Sequence, residues 1–313
     1  MAKAAEISPE VADGHPQEWL AEVLRVRFEE VLQFLDAALD PSGVDAVHDI
    51  RVAIRRLRSI LRDFGSVVDK RPLAELTKAL KKLGSELGRV RDIDVLIEEL
   101  EELEKKADGK YKEGICLIID EMRERRAREG KELTNSITGE FVLELRSRFT
   151  ASIESALRQR RQFEFENVRD EGSRTIRKCL DEFKELSDAF YRPYSVKKLH
   201  RLRIAGKHLR YAIELFQPQF GDTLKPFAEG MKRMQSHLGE IHDCDVWVER
   251  MTSIADKKAK DDVEKLKHYA AVWLISQFVE RRTSAYSAAL ALWLEWDSAG
   301  FCGELESTVS RNE

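Results

Sequence analysis

The stretch VHDIRVAIRRLRSILRDF, Val47 to Phe64, returns later in the chain as LHRLRIAGKHLRYAIELF, Leu199 to Phe216. At an offset of 152 residues, His48 falls on His200, Arg51 on Arg203, Arg55 on Lys207 and Arg58 on Arg210. Ala53, Leu57 and Phe64 fall on Ala205, Leu209 and Phe216. On a helix turning about 100° per residue, Val47, Ile50, Ile54, Leu57, Leu61 and Phe64 share one arc of about 80°, a seam for packing. His48, Arg51, Arg55, Arg58 and Arg62 occupy a second arc of similar width, a cationic row about 21 Å long at ~1.5 Å rise per residue. The second copy repeats both faces, with the seam on Leu199, Leu202, Leu209, Ile213 and Phe216. Its row is His200, Arg203, Lys207 and Arg210, one turn shorter because Glu214 stands in place of Arg62.

A charged helix face is commonly a solvated one, with acid and base paired at i,i+4 spacing. The second copy lacks the acids for that, since Lys197 to Arg210 holds eight Lys, Arg or His residues and no Asp or Glu. Like charges at this spacing cost a few tenths of a kcal/mol per pair. Accepting that cost twice, at matched positions, points to an anion that offsets it.

The repeat extends both ways. Leu24, Arg25, Phe28 and Val31 match Ile176, Arg177, Leu180 and Phe183. Downstream, LKKLGSELGRVRDIDV (Leu80 to Val95) lies on MKRMQSHLGEIHDCDV (Met231 to Val246). This alignment adds Lys81, Lys82 and Arg91 to the first set of candidate ligands and Lys232, Arg233 and His242 to the second. Gly88 and Gly239 are expected to end helices, and the Asp residues that follow to cap the next ones or anchor nearby Arg side chains. Ser42 or Asp45 is expected to cap the first basic helix and Gly65 to end it. Ser195 is expected to cap the second, with Pro218 after its end.

Length and composition narrow the class. At 313 residues the chain exceeds the usual size of a single core, so two similar halves are natural. With only 16 Gly and 7 Pro, an all-α fold is favoured over a β or α/β one. The expectation is about six helices per half, with residues 17–149 and 168–300 as the halves and 150–167 as a helical bridge. A net charge of −4 disfavours a diffuse nucleic-acid binder. Cys116, Cys179, Cys244 and Cys302 form neither CxxC nor a disulfide framework, and no apolar leader or spanning segment is read. The chain is therefore expected to be cytoplasmic, with no membrane association.

These linked motifs resemble the CHAD domain, the conserved histidine α-helical domain. The resemblance rests on His48-Asp-x-Arg51 with Arg55-Arg-Leu-Arg58, on Leu199-His200 with Arg203 and Lys207-x-x-Arg210-Tyr211, and on the two Leu-Gly…Asp-x-Asp segments. It implies two pseudo-twofold-related helical bundles packed around a basic central channel. That channel binds inorganic polyphosphate, and such proteins are associated with polyphosphate granules. The residues support the same ligand, because a linear polyanion suits a linear row of guanidinium and ammonium groups. The expected protein is a non-enzymatic binder with no cofactor.

Two other readings were weighed. His48-Asp49 and His242-Asp243 resemble the ligand pairs of a metal-dependent phosphohydrolase. In the repeat, however, Asp49 is replaced by Arg201 and His242 by Arg91, and arginine does not bind metal. Asp92-x-Asp94 and Asp243-x-Asp245 read as anchors rather than a cation site. Single-stranded nucleic acid is disfavoured because the rows lack interleaved aromatics, Tyr211 being the one good candidate. Trp273, Trp293 and Trp296 are expected in the core. The sequence leaves the oligomeric state open.

Overall fold

The three- and four-residue apolar spacing that marks both copies is realised as α-helix. The computed structural model describes residues 16–38, 44–64, 70–158 and 167–310, and no strand occurs among them. In chain order the helices are α1 (Pro16–Ala38), α2 (Val44–Asp63), α3 (Lys70–Glu104), α4 (Gly109–Ser136) and α5 (Gly139–Arg158). They continue as α6 (Val168–Glu185), α7 (Val196–Phe220), α8 (Lys225–Ala255), α9 (Asp262–Ala299) and α10 (Phe301–Ser310). Short 3-10 turns, Ser187–Tyr191 and Gly221–Leu224, precede α7 and α8.

The chain forms two compact units. One comprises residues up to Ile97 with Met122–Asp170, and the other Glu98–Glu121 with the residues from Glu171 onward. The end of α3 and the start of α4 thus pack in the second unit, although the repeat assigns 17–149 to the first half. Of the expected bridge, α5 covers residues to Arg158, and 159–166 lie outside the described residues. So do Ser42, Gly65 and the side chain of Asp45.

In the first unit the seam of α2 is buried along its length, with Ile50 and Leu57 at 0 % exposure and Leu61 the most open at 7 %. It packs on α1, where Trp19 meets Phe64 at 5.6 Å and Phe28 stacks on Phe149 of α5 at 3.8 Å between ring centroids. The matched positions of the upstream repeat behave alike. Leu24, Phe28 and Val31 are buried, as are Ile176, Leu180 and Phe183, while Arg25 and Arg177 are exposed.

In the second unit α7, α8 and α9 pack in succession. The seam of α7 is buried, and an aromatic cluster of Phe183, Phe190 and Trp293 closes against it. Trp293 and Trp296 are core residues, as expected. Trp273 is half-buried and stacks on Tyr111 instead. The start of α4 joins this unit through Gly114, where a Cβ would stand 2.2 Å from the Leu266 carbonyl oxygen. Only a residue without a side chain lets the two backbones approach so closely.

Several expected boundaries move. Gly88 and Gly239 end nothing, because α3 and α8 run through them, so among the described residues each half shows fewer and longer helices than six. The Asp residues after them lie inside helices and cap none. Pro218 lies within the last turn of α7, which ends at Phe220 with Gly221 at φ +61°. Proline there forgoes one bond, to the Glu214 carbonyl, and only two helical residues follow it. Ser195 does hold the N-cap position, but its side chain makes no capping bond, and its carbonyl receives the Lys198 and Leu199 N–H groups.

Candidate functional site

Each cationic row lies along the helix that follows it. In the second unit, the rings of His200 on α7 and His242 on α8 stand 4.6 Å apart. One end of the row is fixed by Gln235 of α8. Its amide donates to the Gly206 carbonyl at 2.9 Å and its oxygen accepts from Arg210 at 3.2 Å. Gln235 was not read from the sequence, and its match in the first copy is Gly84. Between these ends Arg203 and Lys207 are half-buried and act electrostatically on both histidines.

In the first unit His48 and Arg55 on α2 lie within electrostatic reach of one another, and Arg91 on α3 acts on His48 as well. Arg55 donates to the Arg51 carbonyl at 3.2 Å. The Arg51 guanidinium crosses onto α3, and a Cβ at Gly88 would stand 2.6 Å from its Nη1. A side chain at position 88 would thus require the guanidinium to shift. Arg51 also meets Asp92 at 3.3 Å.

The rows are therefore not free of carboxylates. Neighbouring elements and the row ends supply some, with Arg210 donating to Glu214 at 2.6 Å and Arg62 to Asp63 at 2.7 Å. Asp94 accepts from Arg126 and Asp245 from Arg282, so anchoring of arginines is what the Asp-x-Asp segments do. Glu240, which replaces Arg89, has an equally local role. Arg89 pairs with Glu129 across one hairpin, and Glu240 pairs with Arg281 across the other, the same bridge with its signs exchanged.

Not every candidate joins its row. Lys82 and Arg233 precede Arg91 and His242 by nine residues, so they point about 180° away on the same helices. Both are exposed, and Lys82 faces Glu86 at 3.9 Å. Lys81 and Lys232 are exposed about 80° from Arg91 and His242, at the margin of the rows. Lys232 and Arg233 line a surface hollow of about 630 Å³ with Pro226, Glu229, Gly230 and Ser236.

All three row histidines are held below the ordinary imidazole pKa. For His48 the causes are burial, then Arg91 and Arg55, with Asp49 opposing more weakly than either cation. For His200 they are burial, Arg203 and Lys207. His242 is pushed down to about 4 by burial, Arg203, His200 and Lys207. Burial also draws the Arg58 guanidinium down. A concentrated positive potential thus sits in each unit of a chain whose net charge is −4. Chemically, such rows hold anions and donate hydrogen bonds to them. Among the described residues, no group of three or more His, Cys, Asp and Glu is placed to share a metal ion.

Comparisons with known proteins agree with the all-α fold. The model of the CHAD domain matches residues 22–252, and the chain belongs to that family. Its fold is similar to that of the CHAD domain from the plant Ricinus communis, with a TM-score of 0.75 and 20% identity over 93% of this chain and 95% of that one. PptA from Streptomyces chartreusis has a TM-score of 0.70 and 15% identity, covering 90% of this chain and all of that one. Two uncharacterized proteins of Mycobacterium tuberculosis strains, MT2285 and Rv2226, are 27% identical over 223 residues. The match takes in 65% of this chain but only 41% of each relative's length. No helix among the described residues is long and apolar enough to cross a membrane.

Proposed function

We propose that this protein binds inorganic polyphosphate without transforming it, through the rows His48, Arg51, Arg55, Arg58 and His200, Arg203, Lys207, Arg210. The observation that carries the reading is the gathering of cations about a histidine in both units, Arg91 and Arg55 at His48 and Arg203 and Lys207 at His200 and His242, where burial and these charges together hold the imidazoles below their ordinary pKa. A site that repels its own protons gains most from a ligand with many negative charges along its length. Each row supplies cations for such a polyanion, and the family resemblance implies a basic channel that holds it. Localisation at cytoplasmic polyphosphate granules is part of the same proposal.

The test is calorimetric titration with linear polyphosphate, single-stranded DNA and ATP side by side, with polyphosphate expected to bind tightest. One feature favours the second reading. Tyr194 is 92 % exposed and Tyr191 60 %, just ahead of α7, and aromatic rings beside cations can stack bases. Equal or tighter binding of the DNA would establish that reading instead. Phosphate release on adding Mg²⁺ or Mn²⁺, lost in His48→Ala, would make the protein a phosphohydrolase.

A further inference from the structure

The two rows differ at one position in a way that changes their chemistry. Where α3 places Arg91 beside His48, α8 places His242 beside His200, so a fixed charge in one unit is a titratable pair in the other. The two imidazoles stand 4.6 Å apart, and His200 Nδ1 is buried with no hydrogen-bond partner in the protein. The charges acting on the pair are Arg203 and Lys207 of α7. A neutral imidazole offers one N–H, and each proton taken up gives a ring a second donor for an anion.

We propose that His200 and His242 form one proton-coupled phosphate subsite, which takes up protons from solvent as the anion enters. This deepens the polyphosphate reading and rests on it. With the site empty, burial and the neighbouring cations both favour the neutral rings, whose nitrogens offer fewer donors to a phosphate oxygen. An entering phosphate adds negative charge beside them, raises their affinity for protons and receives the new N–H groups as donors. No bond to phosphorus forms or breaks, and the only transfer is of protons from water or buffer to ring nitrogen. Acidification therefore tightens the hold of the second row, whereas Arg91 gives the first row a charge that does not vary with pH.

Calorimetry of the full chain with linear polyphosphate, in two buffers of different ionisation heat at pH 6 and 7.5, measures the proton uptake. The wild type should take up protons, and its affinity should rise up to about tenfold per pH unit for each proton bound. His242→Arg copies the residue of the first repeat. It should bind up to about tenfold tighter at pH 7.5, take up fewer protons and show a flatter pH profile. His200→Gln should also lower the uptake, and Arg91→His should increase it. Binding by the wild type without proton uptake would overturn this inference alone, as would unchanged uptake in both His242→Arg and His200→Gln. Absence of polyphosphate binding by a folded wild-type chain would overturn the underlying reading as well.

Discussion

Single residues show where the two copies diverge, and Gly88 with Gly239 is the sharpest case. Both are mid-helix glycines, a choice that costs about 1 kcal/mol relative to alanine. At Gly88 a Cβ would meet Arg51, and at Gly239 it would meet nothing within 4 Å. Gly239→Ala should therefore stabilise the protein by about 0.5–1 kcal/mol in denaturant unfolding. Gly88→Ala should gain no such stability and should weaken anion binding by displacing the guanidinium. The histidines make a second prediction. Their folded-state pKa values lie below that of the unfolded chain, so the unfolded chain takes up protons first as pH falls. The stability present above about pH 6.5 should be progressively lost toward pH 4, the value near which His242 titrates. Thermal unfolding across that range should show less loss in His242→Gln, and a bound polyanion should offset the loss in the wild type.

At the scale of helices, what was legible in the sequence is what periodicity encodes. The seam residues of α2 and α7 and the cationic rows beside them follow from side-chain spacing alone. What was not legible depends on contacts distant in sequence. Gly88 reads locally as a helix end, but the helix continues and the guanidinium of Arg51, 37 residues earlier, lies over it. Glu240 stands where the first copy has Arg89, and it completes an ion pair with Arg281 on another helix. Arg233 matches Lys82 in the repeat, and it faces away from His242 because α8 continues unbroken through Gly239. Gly114 gave no signal at all, because its partner is the backbone of α9. Gly114→Ala should force α4 from α9 at Leu266 and Ala270, destabilising the second unit by about 1–3 kcal/mol, as overpacking does. Limited proteolysis should then cut near residues 98–121 more readily than in the wild type.

For the whole molecule the question is whether two rows act on one ligand. Counterion release makes log affinity fall with log salt by about 0.7 for each phosphate neutralised on a single strand. Eight engaged cations should give a slope on the order of −4 to −6, and four should give about half that. Charge reversal separates the rows. A hydrogen bond to a charged group is worth ~1.5–3 kcal/mol, so Arg51→Glu and Arg203→Glu should each weaken binding about 10- to 150-fold or more. Lys105→Glu, at an exposed site paired with Glu102, should change little. The decisive measurement is titration of polyphosphate into the wild type, both single variants and the Arg51→Glu/Arg203→Glu double variant across a salt series. Near-complete loss in the double variant, with each single variant losing part of the salt slope, is the expected result. Full affinity and an unchanged slope in the double variant would contradict the account.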